Sequence, residues 1–365
     1  MFTIGRSRQR DFPEAVAESL RSLSSPSFIL YLTAPLYLEE ATRIIYKKYP
    51  NTPMLGVPSI VISGAEVDED KIIILAGDSD CEAVCEVMEH LSLCPVQDIL
   101  KLEKKVESIH PEPGRTLCLE FCPGYEERLV TTLNSILGNY HIPLLGATIS
   151  NNIGNEERRV AVNGQIYLDS CGYLLCKYKT GCIKIYKEDI YGPADDKMHQ
   201  VTKVRPEQRE LIELDHRSAA EVYSQNLNVV VENIQENNML NPLGRRIGKE
   251  FFVTSISYVS REGSLYTYKK LNLNDAVYFM KLLDYRKIIL ETAARIKNDF
   301  EEIDLIFSVN CIYRFLLFIQ EDVLYEQLGT LKELGPHLGM VSDGEQYLTQ
   351  HVNQTMVCAV FGREH

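Results

Sequence analysis

The feature that most constrains this chain is a repeat of itself. PSFILYLTAPLYLEEAT, from Pro26, and RTLCLEFCPGYEERLVT, from Arg115, are each an apolar run, a proline-containing turn and an acidic helix start. Pro35 aligns with Pro123 and Tyr37 with Tyr125 at an offset of 88, and Leu55-Gly56 aligns with Leu145-Gly146 at an offset of 90. Self-similarity at a fixed period marks a supersecondary unit used more than once. The unit reads as strand, loop, helix, a strand carrying Leu-Gly, then further strands. In the first copy IVISG and KIIILAG flank a polar turn; in the second, RVAV and QIYL flank Asn163-Gly164, two residues that tolerate positive φ and so predict a tight hairpin. The glycine of each Leu-Gly strand allows either tight packing under a neighbour or close approach of a ligand.

A third, weaker copy lies near the C-terminus. Asp304–Cys311 is predicted as a buried strand, Tyr325–Leu334 as a helix, Leu338-Gly339 as the marker, and HVNQTMVCAVF as a final strand. The middle of the chain differs, with a strand running into a helix from about Ser218 and a hairpin of Phe251–Val259 with Leu265–Lys270. A strand at Ala276–Met280 and helical periodicity as far as Phe300 follow. Hairpins after each crossover predict mixed sheets. The expected fold class is therefore α+β, with two domains built from repeated strand-helix-strand-hairpin units. The domains are placed at 1–190, containing repeats at about 26–94 and 115–187, and at 211–365. The polar stretch between Lys187 and Leu211 is the expected boundary, and Pro95–Gly114 a second polar connector.

Charge narrows the partners. Lys+Arg 38 against Asp+Glu 51 gives −13, a surface that repels phosphate backbones and anionic lipid, so nucleic acid and membrane are not expected partners. No apolar run approaches the roughly 20 residues that span a bilayer, and the first residues lack a signal-peptide core. A cytoplasmic protein is expected, and its ten cysteines are expected as thiols. Cys81, Cys85, His90 and Cys94 have the spacing of zinc ligands. Read as a helix, however, DCEAVCEVMEHLSL places His90 about 140° round from Cys85, which predicts buried thiols rather than a metal site. Cys94-Pro95 and Cys122-Pro123 either end an element or expose a thiolate able to ligate haem.

Several motifs in a fixed order carry a family resemblance. They are GPADDKMHQVTKVRPEQRELIELDHRSAAEVY, then Asn310-Cys311-Ile312-Tyr313-Arg314 after a buried strand, then Gly339, Gly344-Glu345 and Asn353-Gln354-Thr355. Together they make the chain resemble the FIST proteins, named for F-box and intracellular signal transduction, with a FIST-N and a FIST-C domain over almost its whole length. The resemblance implies a non-enzymatic sensory module that binds small ligands such as amino acids. Some relatives resemble haem-based nitric-oxide sensors that regulate histidine kinases, which makes haem the alternative ligand. The sequence carries no fused kinase, methyl-acceptor, cyclase or F-box segment, so its output is expected to pass through a separate partner such as a kinase.

The candidate ligand-binding residues are Cys311, Arg314, Gly344, Glu345 and Asn353. Cys311 sits where a strand ends, a position that faces crevices in α/β sheets. Arg314 can hold a carboxylate through two parallel hydrogen bonds, Glu345 can accept from an ammonium, and Asn353 offers both a donor and an acceptor. Gly344 leaves room for a ligand against the backbone. The competing account pairs Arg314 with Glu345 and lets Asn353 cap a turn. No catalytic, cofactor or metal residues are expected, since G-x-S-x-G, H-E-x-x-H, P-loop and G-x-G-x-x-G patterns are absent. The remaining enzymatic alternative is a nucleophilic Cys311 with His337 or His351 brought near as its base.

Overall fold

The computed structural model describes residues 2–68, 70–150 and 157–365. Mixed sheets with helices on their faces make it α+β, as the strand and helix pattern predicts. The chain forms two compact units. The larger comprises Met1–Lys187, Ile289–Gln350 and Met356–His365; the smaller comprises Glu188–Ile288 and His351–Thr355. This division differs from the expected 1–190 and 211–365. The C-terminal segments join the N-terminal ones because their strands complete N-terminal sheets.

The larger unit contains the repeat three times, and each copy starts with a parallel pair. Phe28–Thr33 pairs with Met54–Pro58, Thr116–Cys122 with Leu144–Thr148, and Phe300–Cys311 with His337–Ser342. Helices Leu38–Lys48 and Glu126–Leu137 make the first two crossovers; Ile312–Gln320 and Leu324–Leu334 make the third. The Ile312–Gln320 helix was not anticipated, because IYRFLLFIQ is apolar on nearly every side. The register repeats residue for residue. Leu30 opposes Leu55 and Tyr31 opposes Gly56; Leu119 opposes Leu145 and Glu120 opposes Gly146; Phe307 opposes Leu338 and Ser308 opposes Gly339. A Cβ built on any of these three glycines would overlap the side chain opposite it. The Leu-Gly glycine is thus a notch cut for its neighbour.

Each parallel pair is flanked on its other side by an antiparallel strand: Ile72–Gly77, Cys171–Tyr178 and Thr355–Glu364. The free edge of each Leu-Gly strand is closed by a visitor from another copy. Val160–Val162, leading into the predicted Asn163-Gly164 turn, pairs with the first Leu-Gly strand. Glu345–Tyr347 pairs with the second, and Val61–Ser63 with the third. Every copy lends its hairpin and receives one, so the exchange closes on itself. IVISG and KIIILAG therefore do not flank a hairpin with each other; the first joins the third sheet and the second stays in the first.

Two local expectations are corrected. Cys81–Met88 is a strand, paired along its whole length with Cys171–Tyr178. Both faces of this strand are covered: Val84 and Met88 pack on the core under the helices while Cys81 and Cys85 point the other way, so the pattern imitates a helical stripe. The polar connector after Pro95 contains the helix Ile99–Ser108, which buries Leu102 and Val106.

The smaller unit is built on an antiparallel sheet with the helix Ala219–Leu227 against it. Its core joins Val201, Leu211, Tyr223, Leu243, Ile256 and Phe279. The stretch expected as a boundary supplies one of its strands, His199–Arg205. The predicted Phe251–Val259 strand breaks at Ser255 into Glu250–Thr254 and Ile256–Val259, and only the second forms a hairpin with Leu265–Thr267.

Candidate ligand-binding site

Parallel strands present their carboxyl ends together, which is where open α/β sheets hold ligands. In the third copy the register places Asn310 beside Val341 and Cys311 beside Ser342. The chain then turns from Cys311 directly into the helix Ile312–Gln320, whose first turn carries Arg314 back over the strand end. Arg314 is 0 % exposed. Its Nη1 donates to Asn310 Oδ1 at 2.7 Å, and its guanidinium carbon lies 4.3 Å from the Phe318 ring centroid, a favourable cation–π placement.

A cluster of polar groups leads onward from Asn310. Ser342 Oγ donates to Glu345 Oε1 at 2.9 Å and lies 3.5 Å from Asn310 O, and Glu345 is also 0 % exposed. Gly344 gives its carbonyl to the Thr148 N–H at 2.8 Å, a rung between copies. The structure thus brings Cys311, Arg314, Gly344 and Glu345 to one strand end. Asn353 belongs to the smaller unit, where its Oδ1 accepts from the Ser255 N–H at 3.4 Å.

More polar groups converge here than the sequence reading named. Asp343 accepts from Ser150 Oγ and from Arg158 Nη2, each at 2.6 Å, while Arg158 Nη1 donates to Pro123 O at 2.6 Å. Gln346 Nε2 donates to Thr148 Oγ1, which donates to the buried Glu126 at 2.9 Å. The available signal was positional: Ser59, Ser150 and Ser342 each come three or four residues after the glycine of a Leu-Gly pair, and Ser59 Oγ donates to Val341 O at 3.0 Å.

The geometry bears on the alternatives. His337 stands at the start of the strand whose far end, Ser342, opposes Cys311. Both its ring nitrogens are engaged, Nε2 with Ser308 Oγ and Nδ1 with Gly64 O, each at 2.8 Å. It is not placed to activate Cys311. Cys122 is enclosed in the core, and burial together with Glu120 and Glu126 pushes its thiol well above the ordinary range, against the thiolate that haem would need. Cys94 lines a surface groove of about 410 Å³ with Leu93, Pro95, Val96 and Arg128, and no histidine lines it. Among the described residues no group of three or more His, Cys, Asp or Glu could hold a metal, and no helix is long and apolar enough to cross a membrane.

Comparison with known proteins agrees with the motif order. The FIST N domain matches residues 27–217 and the FIST C domain matches residues 219–348. No curated protein matches the chain. A solved structure, PurLQS from Thermotoga maritima, is similar at 11% identity over 99% of this chain and 72% of that one, with a TM-score of 0.21, too low to carry an argument. Two domain matches that meet at residue 218 and span most of the sequence decide the matter: the chain belongs to the FIST family, whose domains are sensory domains associated with signal transduction.

Proposed function

We propose that the protein is a non-enzymatic intracellular sensor that binds a small zwitterion, an amino acid in class, and reports its occupancy to a separate signalling protein such as a kinase. One observation carries the reading. Arg314 and Glu345, of opposite charge and both fully buried, lie in one polar cluster with Asn310 and Ser342 at the carboxyl end of a parallel strand pair. Asn310 Nδ2 in that cluster has no hydrogen-bond partner among the described residues, a donor that a ligand carboxylate would satisfy. Burying such groups is costly unless they serve binding or are fully paired.

Calorimetric titration of the full chain with the common amino acids tests this. Arg314→Ala should weaken the ligand found by about 1.5–3 kcal/mol, the worth of a charged hydrogen bond, with a small change in Tm. A large fall in Tm with unchanged affinity would instead make the Arg314 cluster a structural ion network.

A further inference from the structure

The smaller unit contains a second buried polar cluster, and its side-chain amides are oriented by backbone partners. Asn238 is 0 % exposed, and its Oδ1 accepts from the Ile256 N–H at 2.8 Å. An N–H can only donate, so the assignment of oxygen and nitrogen in this amide is fixed. Gln354 is also 0 % exposed, and its Nε2 donates to the Asn238 backbone carbonyl at 3.2 Å and to Ser255 Oγ at 2.9 Å. A carbonyl can only accept, so this amide is fixed as well.

What remains is one unused atom on each. Asn238 Nδ2 and Gln354 Oε1 have no hydrogen-bond partner among the described residues, and neither has the neighbouring buried Thr254 Oγ1. Buried polar atoms of this kind are rare, and each calls for an occupant. The backbone adds a second sign. Gln354 holds φ +57, the left-handed region that a glutamine rarely adopts, within the turn from Val352 to Thr355. Such strain collects at binding positions, where the surrounding structure enforces it.

We infer that Asn238 and Gln354 form a reader for a neutral amide edge, the O=C–N–H of a lactam or carboxamide, in the smaller unit. Gln354 Nε2 reaches the Asn238 backbone carbonyl, so the unused donor and the unused acceptor belong to two side chains of one buried cluster. A carboxylate supplies acceptors only and an ammonium donors only. A cis amide supplies one of each, and so leaves neither protein atom unpaired. This site stands independently of the Arg314 cluster and takes a different ligand chemistry.

Saturation-transfer NMR on the full chain tests the inference with 2-pyrrolidinone and acetamide against N-methyl-2-pyrrolidinone, which keeps the carbonyl and loses the N–H. The first two should bind at least tenfold more tightly than the methylated lactam. Asn238→Asp, which keeps the acceptor for Ile256 and removes the free donor, should abolish that preference, whereas Arg314→Ala should leave it intact. Equal binding of the parent and methylated lactams would overturn the inference. So would no binding by either, which would mean that the two amides enclose a buried water. The wild-type comparison decides the point even where a variant does not fold.

Discussion

Tyr31 and Glu120 occupy the same place in two copies of one unit, each opposite the glycine of a Leu-Gly strand. The strand register around them is the same; the two side chains are not. Tyr31 fills its notch with a ring and closes the hydrogen bond to Thr42 Oγ1 at 2.6 Å. Glu120 fills its notch with a carboxyl whose Oε2 faces the Cys171 thiol at 3.4 Å and whose Oε1 has no partner among the described residues. Burial pushes its pKa up to about 8, with Glu126 adding to the rise. In the third copy Ser308 takes the place and hands its hydroxyl to His337. A glycine at a fixed register demands that something fill the space but leaves the chemistry open. One backbone plan thus carries an inert, an alkali-sensitive and an acid-sensitive position.

Four variants would break or sharpen that comparison. Tyr31→Ala should cost the most, about 3–5 kcal/mol in chemical denaturation, because it empties a notch filled by a large ring. A loss as small as that of an exposed substitution would mean the notch collapses and the glycine matters little. Glu120→Gln should act through pH. The folded pKa lies above the ordinary 4.5, so the stability from the buried neutral carboxyl is full below that value and is lost as pH rises through about 8. Glutamine stays neutral, so the variant should gain a few kcal/mol on the wild type between pH 5 and pH 9. Parallel stability curves for the two proteins would mean that Glu120 ionises in the folded protein as it does in the unfolded one, against a raised pKa.

Ser308→Ala should cost least, about 1–2 kcal/mol, by leaving the buried His337 Nε2 without its donor. His337 is held neutral, its pKa lowered by burial to about 4. Its contribution is present above its ordinary value of 6.5 and is lost as pH falls towards 4. Urea titrations from pH 7 down to pH 4 should therefore show a wild-type decline that His337→Gln flattens.

The repeat was legible because its markers are local: a proline turn, an acidic helix start and a glycine that nothing else can replace. Asn163-Gly164 was legible for the same reason, as a turn readable from two residues. Cys81–Met88 was misread because burial on both faces erases the alternation that marks a strand. Glu86 stands on this strand and pairs with Lys101 at 2.9 Å and Lys105 at 3.3 Å. The exchange of hairpins was not legible, since strands as short as Val61–Ser63 carry no record of a partner so far along the chain. Charge type pointed to Arg314 and Glu345. Asn310 and Ser342, which join them, are common polar residues that only the register of two strands brings together.

The exchange has a consequence for how the protein is made. Ser59 and Val341 meet across 282 residues, and the strand just after Ser59 has its sheet partner in the third copy. On the ribosome the first copy emerges with one edge of that strand open, the other being paired with Glu66–Val67, and the open edge must wait until the third copy has been synthesised. Exposed edges held that long invite pairing with other nascent chains. Folding is therefore expected to be slow and to depend on release of the C-terminal segment, and a chain cut before Gly339 should bind chaperones or aggregate rather than yield a shortened working sensor.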